Sequence, residues 1–418
     1  MLIQRRERDE PCSLDELRSL AESAGYVVVG TVEQVRKPHP KYQIGSGKVR
    51  EIANLVREKN VERLIFDNPL KPVQAYNLAK ATGVEAIDRF QLILEIFAKR
   101  ASTTEAKLQI QLAKLKYELA HAKEKVRLAK KGEQPGFMGL GAYEVDVYYE
   151  TVKREIHTIQ RKLRKIRKKR SLHRARRMEL GFPTVSLAGY TNAGKSSLFN
   201  ALAQETVQVD NGLFTTLSTT TRLTNFCGKK MLLTDTVGFI NRLPITLIEA
   251  FHSTLEETIF SDLILLVVDA SEPIQTIENK LSCCFETIET IGASGIPLIT
   301  ALNKIDLLTK ENLQQKLESL GDLAPNPVPI SALYAVNLDL LKEEVARHIK
   351  AYVQASFSIP LNDETMSFLS WLHMRTHVQS LKYDGDAANV VFEAVPPFAN
   401  KVRKYVEEHD GAFKVING

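Results

Sequence analysis

The residues from Gly189 to Ser196 have the types and the spacing of a phosphate-binding loop. They read Gly-Tyr-Thr-Asn-Ala-Gly-Lys-Ser. An apolar stretch, Thr184–Leu187, precedes them and a predicted helix, Ser197–Ala203, follows, which is the strand–loop–helix setting that the motif requires. The backbone N–H groups of such a loop surround phosphate oxygens, aided by the helix dipole. We predict that Lys195 reaches the β- and γ-phosphates and that the Ser196 hydroxyl ligates Mg²⁺.

A second motif, Asp235-Thr-Val-Gly238, follows the apolar stretch Met231–Thr234. A carboxylate at a strand end can hold Mg²⁺ through a water molecule, and the Gly238 N–H can reach the γ-phosphate. Many strands end with such a pattern, so alone it is a weak indication of a site.

Two further motifs have the chemistry of base recognition. Asn303-Lys-Ile-Asp306 follows the apolar stretch Leu298–Leu302, and Ser331-Ala-Leu333 follows Val328–Ile330. The Asp306 carboxylate can accept the N1–H and the 2-amino group of guanine, whereas adenine presents the wrong pattern. The second motif places a backbone N–H where it can meet guanine O6. Asp306 therefore argues against ATP as the main ligand.

All four motifs occur in one order along the chain, each at the carboxyl end of a predicted strand. Ligands bind at that edge of open parallel sheets. The combination predicts a GTPase domain of the translation-factor class.

A threonine-rich stretch, Phe214–Thr221, lies between the predicted P-loop helix and the Asp235 strand. A mobile switch segment belongs there, with one threonine joining Mg²⁺ and sensing the γ-phosphate. Composition does not choose among the five threonines, and the alternative is a solvated loop.

Phe239 occupies the position where Ras-like enzymes orient the attacking water with a glutamine. A phenyl ring can neither polarise nor orient water. One hypothesis is that Asn192 helps to hold a monovalent cation, K⁺, near the β–γ bridge, where it neutralises developing charge. The alternative is that Asn192 only stabilises the loop. We expect slow intrinsic turnover, with a partner supplying the remaining order.

The positive charge of the chain is concentrated in one segment. Between Arg100 and Leu180 there are 22 Lys or Arg and nine Asp or Glu, whereas the whole chain of 418 residues carries +6. Within Arg161–Arg177, 11 of 17 residues are basic and none is acidic. Such a block indicates a polyanionic partner, nucleic acid before an anionic membrane, with a solvated helix face as the alternative.

The same segment has two stripes of apolar residues at steps of three, four and seven. The first stripe begins at Leu108 and the second runs from Val152 to Ile166, and Gly132–Gly141 lies between them. We predict a long antiparallel helical hairpin, zipped by the stripes, with a glycine-rich tip. Phe137, Met138 and Tyr143 could stack on RNA bases there, or pack within the loop.

The composition of the whole chain, 44% apolar and 25% charged, is that of a soluble globular protein. The apolar run Leu263–Ala270 is far shorter than the roughly 18 to 20 residues of a membrane span. The first residues show no apolar signal core, and the four cysteines show no Cys-x-x-Cys spacing. Secretion, disulfide frameworks and zinc knuckles are therefore not expected.

The start of the chain is predicted to be a small α/β unit. Its predicted strands are Tyr26–Val32 and Val61–Phe66, and its predicted helices are Gly47–Lys59 and Val73–Ala81. Such alternation favours a parallel sheet.

The end of the chain is predicted to be a small α+β domain. Its predicted helices lie near Glu364–His373 and Phe398–Glu407, and its predicted strands near Ala388–Ala394 and Ala412–Ile416.

The predicted fold class is α/β, a P-loop GTPase domain flanked by three further parts. The expected domains are an N-terminal α/β domain, a basic helical hairpin arm, the GTPase domain and a C-terminal α+β domain, at residues 1–103, 104–180, 181–355 and 356–418.

In these motifs and in two further stretches, the sequence resembles the HflX family of ribosome-associated GTPases. The most specific matches are Tyr42-Gln-Ile-Gly-Ser-Gly-Lys-Val-Arg-Glu51 and Asp88-Arg-Phe-Gln-Leu-Ile-Leu-Glu-Ile-Phe-Ala-Lys-Arg-Ala101, ahead of the GTPase motifs. The resemblance covers roughly residues 20 to 350. The arm tip, Gly132-Glu-Gln-Pro-Gly-Phe-Met-Gly-Leu-Gly141, departs from the Gly-Gly-x-Gly-x-Arg-Gly-Pro-Gly-Glu tip of many bacterial members and looks like the archaeal branch.

The resemblance implies binding to the large ribosomal subunit and splitting of idle or stalled ribosomes, with GTP hydrolysis releasing the factor. It also implies that the hairpin loop approaches the peptidyl-transferase region. In the Phe-x-Thr-Leu switch of the family the Mg²⁺ threonine is the third residue, which here is Thr216.

These inferences define the expected site and its partners. The predicted catalytic residues are Lys195, Thr216, Asp235, Gly238 and Asn192, and the predicted Mg²⁺ ligands are Ser196 and Thr216. The predicted nucleotide-contacting residues are Gly189, Tyr190, Thr191, Asn192, Ala193, Gly194, Lys195, Ser196, Ser197, Phe214, Thr215, Thr216, Leu217, Ser218, Asp235, Thr236, Val237, Gly238, Asn303, Lys304, Ile305, Asp306, Ser331, Ala332 and Leu333.

We expect a cytoplasmic, Mg²⁺-dependent GTPase that is stimulated by the ribosome and contacts rRNA through its arm. It should be a monomer when free, with no DNA partner and no stable membrane insertion. The alternative is a nucleotide-regulated RNA-binding or remodelling protein without ribosome-splitting activity.

Overall fold

This computed structural model describes residues 1–130, 142–180, 182–203, 220–241, 247, 255–349 and 352–417. The chain forms two compact units. The first runs from Met1 to Ile166, and the second contains the described residues from Arg167 onward, apart from Leu247. None of the described helices combines the length and the apolarity that crossing a membrane requires.

The first unit alternates strands and helices and then continues into two long helices. Its elements are β1 (Leu2–Arg6), α1 (Leu14–Ser23), β2 (Thr31–Val35), α2 (Ser46–Glu58), β3 (Arg63–Phe66), α3 (Pro72–Thr82), β4 (Glu85–Asp88), α4 (Arg89–Arg100), α5 (Thr104–Lys130) and α6 (Ala142–Leu180), the last of which runs on into the second unit.

The four strands of the first unit form a parallel sheet in the order β2-β1-β3-β4. The prediction of a parallel α/β unit is therefore confirmed. The predicted strand Tyr26–Val32 was wrong in its bounds, because pairing with β1 begins only at Thr31 and the apolar Val27 and Val29 remain exposed outside the sheet.

Strand β1 was not predicted from the sequence, although it lies at the centre of this sheet. Its Gln4 and Arg5 are buried polar residues, which a pattern search assigns to the surface. The Gln4 amide donates to Ser13 Oγ at 2.8 Å, and the Arg5 backbone N–H donates to Asn68 Oδ1 at 2.7 Å. Residues outside β1 thus supply hydrogen-bond partners for these groups, because burying a polar group without a hydrogen bond costs free energy.

The two apolar stripes pack against each other, as the sequence predicts. Leu112 and Leu115 of α5 are buried against Val152, Ile156 and Ile159 of α6. Burying such a side chain contributes roughly 1.5–3 kcal/mol, so this seam is enough to hold the hairpin closed. The predicted tip residues 132–141 lie outside the described residues, as does the side chain of Tyr143.

The GTPase part of the second unit is a six-stranded sheet with helices along it. Its elements are β5 (Thr184–Gly189), α7 (Lys195–Ala203), β6 (Thr220–Phe226), β7 (Lys229–Asp235), β8 (Leu263–Asp269), α8 (Ile274–Thr290), β9 (Leu298–Asn303), α9 (Lys310–Leu320), β10 (Pro327–Pro329) and α10 (Leu338–His348).

The strand order of this sheet is β10-β9-β8-β5-β7-β6, with all neighbours parallel except β6 and β7. Strand β5 therefore lies where the strand order reverses. Strands β8, β9 and β10 extend to one side of it, and β7 and β6 extend to the other. Open parallel sheets bind ligands at the carboxyl ends of strands at such a reversal point. The predicted P-loop follows β5 at this position.

The end of the chain forms a β-α-β-β-α-β domain within the second unit. Its elements are β11 (Val353–Pro360), α11 (Asp363–Arg375), β12 (His377–Asp384), β13 (Ala387–Ala394), α12 (Pro396–Glu408) and β14 (Ala412–Asn417). The sheet order is β12-β13-β11-β14, antiparallel throughout, with an aromatic and aliphatic core between the sheet and its two helices. The α+β prediction is confirmed, and the sequence missed β11 and β12.

The turn between β6 and β7 lies against this C-terminal domain. Cys227 and Gly228 both have positive φ, 51° and 87°, as in a two-residue hairpin turn. Lys229 Nζ lies 3.2 Å from a Glu393 carboxylate oxygen, and the Tyr352 hydroxyl donates to the Lys230 carbonyl at 2.9 Å. A Cβ at Gly228 would lie 2.5 Å from Nε2 of His377, so glycine is required for the close approach.

Gly228→Ala should destabilise the second unit more than the matched change Gly385→Ala. Both glycines have positive φ, which costs alanine about 1 kcal/mol, but an added Cβ meets nothing within 4 Å at Gly385. At Gly228 the clash with His377 adds overpacking, for a total of about 2–4 kcal/mol. Denaturant unfolding of the full chain measures both, and His377→Ala should return Gly228→Ala to the cost of Gly385→Ala. Equal effects of the two glycine changes would contradict this account of the contact.

Candidate functional site

The P-loop has the conformation that its glycine and asparagine permit. It connects β5 to the start of α7, and Asn192 and Gly194 both have positive φ, 63° and 93°. A Cβ at Gly194 would collide with the amide of Asn303, so this position accepts only glycine. Asn192 is exposed, and asparagine tolerates the left-handed conformation better than other side chains do.

The side-chain amide of Asn303 joins three of the predicted motifs. Its Nδ2 donates to the Ala193 carbonyl of the P-loop at 2.9 Å. Its Oδ1 accepts the Ala332 backbone N–H at 2.9 Å. Asn303 is 2% exposed, so both bonds are sheltered from water and the loops cannot separate without losing buried hydrogen bonds.

The base-recognition motifs lie side by side. The Ser331 hydroxyl donates to Asp306 Oδ1 at 2.5 Å, which fixes the orientation of the carboxylate that we expect to face guanine. Lys304 has a left-handed backbone, φ 67°, and its ammonium donates to Asp269 at 2.6 Å. The sequence reading missed Asp269, although the signal was present: it ends the apolar strand β8 at the same sheet edge.

Two oxygen groups of the kind that Mg²⁺ prefers meet beside the P-loop. The Ser196 hydroxyl donates to Asp235 Oδ2 at 3.0 Å, and both residues are buried. A hydroxyl that could ligate Mg²⁺ directly, as we expect of Ser196, thus lies beside a carboxylate that could hold the ion through a water molecule, as we expect of Asp235. The residues therefore fit the metal that the P-loop motif implies.

The side chain of Lys195 is buried among backbone carbonyls. Its ammonium donates to the Tyr190 carbonyl at 2.8 Å and to the Gly189 carbonyl at 3.1 Å. Burial lowers the pKa of Lys195 to about 8, against the opposing effect of the Asp235 carboxylate. The P-loop carbonyls thus hold the lysine at the base of the loop, in position to exchange these bonds for phosphate oxygens.

The backbone after Asp235 is paired with the P-loop. The Phe239 N–H donates to the Gly189 carbonyl at 3.0 Å, and the Thr191 N–H donates to the Phe239 carbonyl at 2.8 Å. The side chain of Phe239 is 1% exposed and belongs to the protein interior. The side chain at the Ras glutamine position is therefore buried and does not face an attacking water.

The structure brings four of the five predicted segments together at one sheet edge. They are Gly189–Ser197, Asp235–Gly238, Asn303–Asp306 and Ser331–Leu333. The fifth segment, with Phe214, Thr215, Thr216, Leu217 and Ser218, lies outside the described residues, so the Mg²⁺ role of Thr216 stays a prediction.

Comparison with protein families gives matches along successive parts of the chain. Residues 12–98 match a model described as GTP-binding GTPase N-terminal, and residues 100–177 match GTP-binding GTPase Middle Region. Residues 184–304 match a model described as 50S ribosome-binding GTPase.

Individual relatives extend the similarity over nearly the whole chain. The protein named GTPase HflX of Methanocaldococcus jannaschii is 47% identical over 405 residues, which is 97% of this chain and 98% of that protein. GTPase HflX of Escherichia coli is 36% identical over 346 residues, 80% of each chain. Among solved structures, the crystal structure of a SsGBP and GDP complex is 30% identical and covers 83% of this chain and 98% of its own, with a TM-score of 0.48.

Asp306→Asn should exchange guanine for xanthine as the preferred base. The change removes a charged acceptor for two guanine N–H groups, and charge-assisted hydrogen bonds contribute about 1.5–3 kcal/mol each. We expect the Kd for GDP to rise by about 100-fold or more, and xanthosine diphosphate to bind better than GDP. Titration calorimetry measures both, with Asp322→Asn on the exposed surface as the control. Unchanged GDP affinity in Asp306→Asn would contradict the assigned role.

Proposed function

The chain belongs to the HflX family of GTPases, and on this premise we propose that it is a ribosome-associated factor whose basic arm contacts rRNA. The family makes it a GTP-hydrolysing enzyme. The further proposal is that it binds the large ribosomal subunit in the cytoplasm and splits idle or stalled ribosomes. The observation that carries this proposal is the exposed basic face of α6.

The arm exposes its cationic groups because its apolar residues are used in the seam with α5. Besides Arg167, eight basic residues are exposed among the α6 side chains that the structure describes: Lys153, Arg154, Arg161, Lys162, Arg164, Lys165, Lys168 and Lys169. Arg167 differs from them, because it forms an ion pair with the buried Glu256. Exposed cations along a helix neutralise phosphates and do not recognise base sequence. This mode of binding is expected for a large folded RNA rather than for a short target of defined sequence.

The GTPase site supplies positioning and charge, which are the main requirements of phosphoryl transfer. Ser196 and Asp235 would hold Mg²⁺, which neutralises charge on the phosphate oxygens when bound. Lys195 would add its positive charge on the same side. The Gly238 N–H is the group that we expect to meet the γ-phosphate, and the alternation of that contact between GTP and GDP would order or release the segment after it.

Water positioning must come from groups other than residue 239, since Phe239 is buried. We retain the proposal that Asn192 helps to hold K⁺ near the β–γ bridge. Its exposure at the open side of the P-loop is compatible with that role, and its left-handed backbone is equally compatible with a role in loop shape alone.

Neutralising the arm should weaken ribosome binding and make that binding less sensitive to salt. We expect Lys162→Gln, Arg164→Gln and Lys165→Gln together to reduce co-sedimentation with large subunits in the presence of a non-hydrolysable GTP analogue. The dependence of log K on log salt should become shallower by about 2 to 3, since each lost phosphate contact contributes about 0.7 to 0.9.

The matched control for this arm variant is Lys382→Gln with Lys404→Gln, two exposed lysines of the C-terminal domain. It should leave the salt slope unchanged. Binding of the arm variant with an unchanged slope would refute rRNA contact by this face. Binding to isolated RNA but not to subunits would favour the alternative, an RNA-binding or remodelling protein without ribosome splitting.

The cation proposal predicts faster GTP hydrolysis in KCl than in NaCl at equal ionic strength. The physical reason is that an ion of suitable size near the β–γ bridge stabilises the charge that develops in the transition state. The measurement is the single-turnover rate, with Asn192→Ala as the comparison. Equal rates in the two salts would contradict the cation proposal and support the alternative, in which Asn192 only stabilises the loop.

A further inference from the structure

The second residue of the P-loop, Tyr190, has its side chain turned into the protein. It is 8% exposed and, with Val267 and Cys284, lines a small cavity beneath the loop. The Lys280 ammonium of α8 lies 4.9 Å from the centre of the Tyr190 ring, and Glu272 pairs with that ammonium at 2.5 Å. A cation over the ring face and packed walls fix the orientation of the ring.

The hydroxyl of this fixed ring contacts the segment that follows Gly238. It accepts the backbone N–H of Asn241 at 2.7 Å. The donor is a main-chain group and the acceptor is a side chain of the P-loop. The contact therefore depends on the residue type at position 190, whereas at position 241 any residue except proline supplies the donor.

This bond extends the pairing between the P-loop and the backbone after Asp235. Phe239 is already held by two backbone hydrogen bonds, to Gly189 and Thr191. The Tyr190 hydroxyl holds the chain two residues further on. Together they keep the stretch after Gly238 in one register against the P-loop, with the Phe239 ring inserted in the interior.

Such a restraint matters in this enzyme because residue 239 has no polar side chain to orient water. The positions of the reacting groups then depend on the position of the backbone from Gly238 to Asn241. We propose that Tyr190 is a positioning residue for GTP hydrolysis, whose hydroxyl holds the segment Gly238–Asn241 in register with the P-loop. The proposal depends on the GTPase activity and not on ribosome association.

Tyr190→Phe removes the acceptor and keeps the ring, its packing and its contact with Lys280. We expect kcat for GTP to fall about three- to tenfold, as the loss of one net hydrogen bond predicts, and KM to stay within about twofold. The exchange rate of the Asn241 amide hydrogen in the full chain should rise, since its acceptor is gone. Tyr383→Phe, an exposed tyrosine of β12, should change neither quantity.

Several outcomes would overturn the proposal: an unchanged or increased kcat in Tyr190→Phe, a KM that rises while kcat is kept, or an unaltered Asn241 exchange rate. If Tyr190→Phe does not fold, Asn241→Pro removes the donor in place of the acceptor and should lower kcat to the same extent with KM kept. Failure of both variants to lower kcat would leave the hydroxyl with no role in catalysis.

Discussion

The whole nucleotide site depends on one buried amide. Asn303 ends strand β9, which is buried and pairs with β8 along its whole length. From there it accepts a hydrogen bond from the loop at Ala332 and donates one to the P-loop at Ala193. An amide has a donor and an acceptor at fixed geometry, so it sets the distance between the phosphate end and the base end of the site.

The same site shows how catalysis can be arranged without a polar residue after Gly238. The phenyl ring of Phe239 is used as an anchor in the core, and the backbone on either side pairs with the P-loop. The restraint is local and strong, but it leaves the chemistry without a side chain of its own at that position. An enzyme built in this way needs another group to complete the arrangement, which is the physical reason to expect slow turnover in the absence of a partner.

Most of the site could be predicted because its motifs are local in sequence. The spacing of Gly189, Gly194 and Lys195 and the position of Asp306 indicate the chemistry directly. The two apolar stripes, which contain Leu112 and Ile156, indicate the seam of the hairpin. The sheet edge that collects these residues follows from the alternation of strands and helices.

The features that were not predicted depend on contacts between distant segments. Strand β1 carries polar residues that form hydrogen bonds with Asn68 and Ser13, which lie outside the strand. Strand β11 differs, because its apolar residues alternate with Ser356 and Ser358, which is the local pattern of a half-buried strand and could have been found in the sequence. The contact between Tyr190 and Asn241 joins residues 51 positions apart. No local pattern records such partners.

The short turn at Cys227 and Gly228 lets the C-terminal domain contact β7 at the end opposite to Asp235. Strand β7 has Asp235 at one end and Lys229, beside Glu393, at the other. Six residues of extended chain span about 20 Å, so this contact lies well away from the phosphate end of the site. A fluorescent label attached near Tyr352 would therefore lie about two nanometres from the nucleotide and leave the residues that bind it unaltered.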